Sequence, residues 1–203
     1  MKTLVRLALV FFVACVNPNS SAMDSTMAFL KSGQLFIISS SRARSVKTNV
    51  TDFQVARGTV AFTSGGGLYL VTDLNTGSFV LVQNGVSSYD VAEGTVAYVK
   101  NNDLYVVTDL SAGTSRAVAF SISDYKVGPG AVAYRISDTL GLVSDFSKAV
   151  IVQVSLDVDD YEVGDRTIIY RKSGSLYLVT DFSTGASTLI QTNVSDYQMS
   201  NRQ

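Results

Sequence analysis

Short apolar runs alternate with clusters of turn residues along most of the chain, and they return with a spacing of 36 residues. Leu68-Tyr69-Leu70-Val71-Thr72-Asp73 recurs as Leu104-Tyr105-Val106-Val107-Thr108-Asp109, as Leu140-Gly141-Leu142-Val143-Ser144-Asp145 and as Leu176-Tyr177-Leu178-Val179-Thr180-Asp181. Leu35-Phe36-Ile37-Ile38-Ser39 is an earlier copy, 33 residues upstream, with a turn about three residues shorter behind it. An aromatic-x-aliphatic element keeps the same period: Phe53-Gln54-Val55, Tyr89-Asp90-Val91, Tyr125-Lys126-Val127, Tyr161-Glu162-Val163 and Tyr197-Gln198-Met199. So do Met27-Ala28-Phe29, Val60-Ala61-Phe62, Val96-Ala97-Tyr98, Val132-Ala133-Tyr134 and Ile168-Ile169-Tyr170, with a looser apolar stretch such as Phe79-Val80-Leu81-Val82 or Thr188-Leu189-Ile190.

Each run is short, β-branched or aromatic, and bounded by Gly, Asn, Asp or Ser, which predicts strands joined by tight turns. We label them A (Tyr-x-Val), B (Val-Ala-Tyr), C (Leu-Tyr-Leu-Val) and D. Strand C is apolar almost without alternation, which calls for burial on both faces. Four short antiparallel strands per repeat make the blade of a β-propeller. The strand-and-turn pattern of Leu104 to Gly113 and its copies resembles the aspartate- and glycine-marked blades of TolB-type and WD-like propellers, over residues from about 26 to 203.

The order of copies predicts how the fold ends. The repeat opens on a strand B (Thr26-Met27-Ala28-Phe29), and a lone strand A (Asp196-Tyr197-Gln198-Met199) follows the last complete blade. That strand A can complete the first blade, giving an all-β, closed five-bladed ring with no free edge at the seam. The expected product is one monomeric domain over residues 23–203.

The N-terminus has the pattern of an export signal. Lys2 and Arg6 precede an apolar run from Leu7 to Val16, too short for a membrane span of about 20 residues. Ser20 and Ala22 suit a signal-peptidase site, making residues 1–22 the leader. Alternatively, Phe12-Val13-Ala14-Cys15 is similar to a lipobox, with residues 1–14 removed and Cys15 lipidated. The first route predicts a secreted or periplasmic protein, the second a lipid anchor at the cell envelope. Either way the folded part has no cysteine and no disulfide.

Composition narrows the function. Without Lys2 and Arg6, 14 basic and 17 acidic residues leave a charge of −3, which offers no field for nucleic acid. Histidine and tryptophan are absent. The first removes Ser-His-Asp chemistry and histidine metal ligation; the second removes the commonest sugar-stacking surface. No Walker or dinucleotide glycine motif is present, and Gly65-Gly66-Gly67 reads as a blade turn.

Four sets of residues remain. Asp52, Asp124, Asp160 and Asp196, with Ser88 in the fifth place, open the A strands and can ring one mouth of the axis. Such a ring suits a hard cation such as calcium, or paired carboxylates acting on a glycoside. A hydrogen-bonding role repeated in every blade fits the same pattern. Asp73, Asp109, Asp145 and Asp181 close the C strands as turn caps on the opposite face. Lys31, Lys100, Arg135, Arg171 and Lys172 follow the B strands and can balance nearby aspartates. The D–A turns vary at Asn49, Gly85, Ser121, Asp157 and Asn193, where a partner can be read. Asp157, Asp159 and Asp160 break the repeat as a solvated acidic loop, and Asn19, Asn49 and Asn193 head glycosylation sequons. The expectation is a non-catalytic extracytoplasmic binding or scaffold module for a protein or glycan, with a small glycoside hydrolase or a multivalent lectin as alternatives.

Overall fold

A computed structural model describes residues 26–39 and 42–199. The leader, the Cys15 lipobox, the cleavage site after Ala22 and the Asn19 sequon lie outside the described residues. Among the described residues nineteen strands form five antiparallel sheets. The first sheet holds β1 (Met27–Lys31), β2 (Gln34–Ser39) and β3 (Arg42–Lys47). The second holds β4 (Val50–Ala56), β5 (Thr59–Ser64), β6 (Gly67–Asp73) and β7 (Ser78–Asn84). The third runs β8 (Ser88–Ala92), β9 (Thr95–Lys100), β10 (Asp103–Asp109), β11 (Thr114–Ala119). The fourth runs β12 (Asp124–Gly128), β13 (Ala131–Ile136), β14 (Thr139–Asp145), β15 (Val150–Ser155). The fifth runs β16 (Asp160–Gly164), β17 (Thr167–Lys172), β18 (Ser175–Asp181), β19 (Ala186–Gln191). These are the B, C and D strands of the repeat in the first sheet and A, B, C and D in the other four, where the contacts of β4 with β8, β8 with β12 and β12 with β16 make A the inner strand.

The core lies between blades. Ala131, Ala133, Leu140 and Leu142 of the fourth blade pack on Val158, Tyr161, Val163, Ile168 and Tyr170 of the fifth. Ala61, Leu68 and Leu70 of the second meet Tyr89, Val96 and Tyr98 of the third in the same way. Alternate residues of B and C thus face forward and backward, so both faces are apolar, as strand C's composition demands. On the backward face the B and C aromatics stack, Phe62 on Tyr69, Tyr98 on Tyr105 and Tyr170 on Tyr177, with ring centroids 5.1–5.2 Å apart. In the fourth blade Gly141 replaces the second ring, and Tyr134 covers it so closely that a Cβ there would lie 2.5 Å from the Tyr134 ring.

The ends differ from the sequence expectation. Residues 192–199 form no strand, and the first sheet has three strands among the described residues. The segment Asp196–Met199 does not pair with β1, so the five-bladed ring expected from one chain is not closed. Its start is nevertheless built like the other D–A turns. The Val194 amide donates to the Gly174 carbonyl at 2.8 Å, matching Ile122 on Asn102 and Val158 on Asp138.

Candidate functional site

The residues that open the A strands sit at the seams between blades. Tyr89 donates its hydroxyl to Asp52 at 2.8 Å, and Tyr161 donates to Asp124 at 2.5 Å. Tyr125 reaches Ser88 over a longer 3.3 Å. In each case the tyrosine of one blade binds the preceding inner strand 37 positions back, at the first residue of β8 and of β12 and the third of β4. At the corresponding place in the fifth blade the Asp160 Oδ1 and the Tyr197 hydroxyl are both buried, and neither has a hydrogen-bond partner among the described residues. Asp196 is exposed and accepts the Tyr197 amide at 2.8 Å.

Antiparallel register adds a second tie. Asp124 lies opposite Arg135 and Asp160 opposite Arg171. Arg135 donates through Nε at 2.9 Å and Nη2 at 2.5 Å to Asp124, and Arg171 through Nε at 3.0 Å and Nη2 at 2.5 Å to Asp160. Arg135 also reaches the Asp159 carbonyl at 3.0 Å, tying the next loop to this seam. Burial alone would raise the Asp160 carboxyl, but the bonds from Arg171 and the nearby Tyr197 hydroxyl outweigh it and hold the group below the usual range. Burial first, and then the carboxylate they contact, push Tyr89 and Tyr161 above the ordinary tyrosine value; burial pushes Tyr125 to about 12. These hydroxyls therefore remain protonated donors at any physiological pH.

The position opposite Asp52 is Thr63, and the one opposite Ser88 is Val99, so neither seam has an arginine. An open depression of about 430 Å³ lies there, lined in part by Thr51, Asp52, Thr63, Ser87, Ser88 and Tyr89. The middle residues of the inner strands also interact across seams. Gln54 donates to the Tyr89 carbonyl at 2.9 Å, and Lys126 pairs with Glu162 at 2.7 Å. Burial raises the Asp90 carboxyl in that row, against smaller lowering by the Val91 and Val127 amides.

The D–A tips obey a backbone rule. Asn49, Gly85, Ser121, Asp157 and Asn193 all have positive φ, between 53° and 71°. Glycine adopts this region freely, and Asn and Asp more readily than most residues, so much of the variation at these tips reflects turn geometry. Side chains beside the tips are freer: Phe120 and Leu156 immediately precede Ser121 and Asp157 and are 65% and 51% exposed. Asp157 also lies 3.9 Å from Lys172. At the other end of the strands Asp73, Asp109, Asp145 and Asp181 accept amides two residues ahead at 2.7–2.9 Å. Hydrogen bonds from Thr76, Ser111, Ser147 and Ser183 lead the lowering of these four carboxyls.

A further tie has a sequence signal that the strand pattern alone did not single out. Thr26, Thr59 and Thr95 precede or open the B strands, and their hydroxyls accept the amides of Gly58, Gly94 and Gly130 in the next blade's A–B turn at 2.7–2.9 Å. The recurring Thr and Gly, about one repeat apart, carried that information. Among the described residues no three acidic or thiol side chains gather at a point able to hold a metal ion. Asp52 and Asp124 are each taken up by the next blade's tyrosine at their own seam instead.

A family model described as the 10-bladed beta propeller domain matches residues 18–203. The chain belongs to that family. No curated protein sequence matches it. Solved structures of similar fold include Hsv2 from Kluyveromyces lactis, at 9% identity and TM-score 0.52, covering 83% of this chain and 60% of that one. Hsv2 from Kluyvelomyces marxianus is similar at 9% identity and TM-score 0.50, covering 79% and 59%. The bacterial surface component PorZ of Porphyromonas gingivalis matches at 13% identity and TM-score 0.44, covering 85% and 28%. The chain thus spans three fifths or less of the length of these structures, and the likeness to the two Hsv2 structures is one of fold.

Proposed function

We propose that this propeller is a non-catalytic binding or scaffold module acting outside the cytoplasm, with a protein as its partner. The observation that carries the reading is the use of the conspicuous carboxylates. Asp124 is occupied by Arg135 and Tyr161, and Asp160 by Arg171. General acid–base work on a glycoside needs a pair of carboxyl groups facing the substrate with separated pKa values. Groups tied across seams are poorly placed for that task or for a shared cation.

Recognition is then assigned to the end that carries the D–A and B–C turns. Phe120, Leu156 and Ile136 are exposed there, on the third and fourth blades. Exposed apolar side chains on a rigid frame favour a protein surface. Export rests on the leader pattern, by cleavage after Ala22 or lipidation at Cys15, and mass spectrometry of the mature N-terminus separates the two. The binding test is a pull-down from the native envelope or surroundings with the natural chain and a Phe120→Asp/Leu156→Asp variant. A partner retained by the first and lost by the second, at unchanged melting temperature, supports the reading. Equal capture by both contradicts it, and a glycan-array signal without any protein partner would replace it with the lectin alternative.

A further inference from the structure

Asp124 and Arg135 lie opposite each other in the inner two strands of the fourth blade, and the arginine fills the seam toward the fifth. Its guanidinium donates to the Asp124 carboxylate through Nε and Nη2. Through Nη1 it reaches the carbonyls of Val158 at 3.3 Å and Asp159 at 3.0 Å. Its Cζ lies 5.9 Å from the centroid of the Tyr161 ring. A carboxylate, two loop carbonyls and an aromatic ring thus receive one guanidinium. Arg171 on Asp160 repeats the carboxylate part of this arrangement one blade on.

The seam between the second and third blades has a copy of every receiving residue and lacks the guanidinium. Two repeats back, Asp52 stands for Asp124, Val86 and Ser87 for Val158 and Asp159, and Tyr89 for Tyr161. All four line the depression of about 430 Å³, together with Thr63, which faces Asp52 as Arg135 faces Asp124. The tyrosine-to-aspartate bond is present at both seams, so the two frames are assembled alike. What differs is the cover. Asp52 is exposed where Asp124 is half-buried, and Val86 is half-buried where Val158 is buried. The Thr63 hydroxyl is engaged with Thr51 at 2.9 Å, and among the described residues no lysine or arginine pairs with Asp52. The seam between the third and fourth blades lacks the carboxylate as well, with Ser88 opposite Val99.

We propose that the depression at Asp52 takes the guanidinium of an arginine side chain supplied by a partner protein. An arginine entering from outside completes on Asp52 the set that Arg135 completes on Asp124, with the Tyr89 ring beside it. The planar fork of a guanidinium serves a carboxylate and loop carbonyls at once, whereas an ammonium is a compact point charge. The D–A turn that contributes Val86 and Ser87 comes one repeat before the turn that carries Phe120, so both lie at the same end of neighbouring blades. The protein source rests on the reading of this chain as a protein-binding scaffold. The guanidinium chemistry rests on the seam itself.

The test titrates the full chain, by calorimetry and by amide chemical shifts, with a capped pentapeptide holding one central arginine. Its citrulline and lysine counterparts and methylguanidinium alone are titrated in parallel. The arginine peptide is expected to bind saturably, and citrulline, which keeps the shape and loses the charge, about tenfold or more weakly. Lysine should bind more weakly than arginine as well. Two variants locate the site: Asp52→Asn removes the charge and keeps an oxygen for the Tyr89 hydroxyl, and Thr63→Arg fills the depression from within. Each should weaken the arginine peptide about tenfold or more. Binding without preference for arginine, or binding that survives Thr63→Arg, overturns the proposal. Methylguanidinium binding more tightly than the peptide overturns the protein source. A failed pull-down with arginine-selective binding intact would defeat the protein scaffold and retain the guanidinium site; a captured partner with no arginine-selective binding would do the reverse.

Discussion

The seam between the second and third blades and the seam between the fourth and fifth use the same repeat position in different ways. In both, an aspartate opening strand A accepts the hydroxyl of the next blade's tyrosine. At Asp124 an arginine then closes the seam with two charge-assisted bonds. At Asp52 the residue opposite is Thr63, and a depression remains. The tyrosine bond is therefore the constant part of the frame. The residue opposite the aspartate decides whether the surface above it is sealed or open.

Substitutions at the two seams should separate these contributions. Asp124→Ala has the largest expected effect, because it strips partners from both Tyr161 and Arg135; a loss of about 2 kcal/mol or more in denaturant unfolding is expected. Tyr89→Phe removes only the bond to Asp52, and about 1 kcal/mol should be lost in the same measurement. Thr63→Arg would install the missing arginine opposite Asp52. A gain below about 1 kcal/mol is expected, together with loss of the depression in a crystal structure. If Thr63→Arg destabilises strongly, the open seam is closed to arginine by packing rather than left open by residue choice.

The smallest effect should come from Asp90→Asn, and it carries a pH signature. Burial raises the Asp90 carboxyl in the folded chain, so the folded state holds a proton that the unfolded state has released. That stabilising preference is complete below the ordinary aspartate value and is lost as pH rises through the folded one. The asparagine variant should match the natural chain in acid and exceed it slightly at neutral pH. Asp160 has the opposite sign: its lowered carboxyl favours folding above the ordinary value and loses that contribution as pH falls through the folded one. Melting temperature against pH, from 3 to 7 in roughly unit steps, checks both.

Much of the blade was legible in the sequence, because strand identity rests on local patterns. The Tyr-x-Val, Val-Ala-Tyr and Leu-Tyr-Leu-Val runs became strands A, B and C, and both-face burial of strand C followed from its composition. The basic residues after strand B could be matched to aspartates only through the antiparallel register of Asp124 with Arg135 and Asp160 with Arg171. The tips from Asn49 to Asn193 looked variable because residue type was visible and positive φ was not. Closure was the least legible feature. Tyr197-Gln198-Met199 carries the strand A pattern and yet lies in no strand, because a pattern along the chain does not say which strand B lies beside it.

The central claim is that the inner-strand acceptors act as links between blades. A double-mutant cycle with Asp124→Asn and Tyr161→Phe in denaturant unfolding tests it most directly. The account predicts that the two losses are not additive, with a coupling of about 1 kcal/mol or more between residues 37 positions apart. Losses that simply add would mean that the two groups stabilise the fold independently, and would contradict the account.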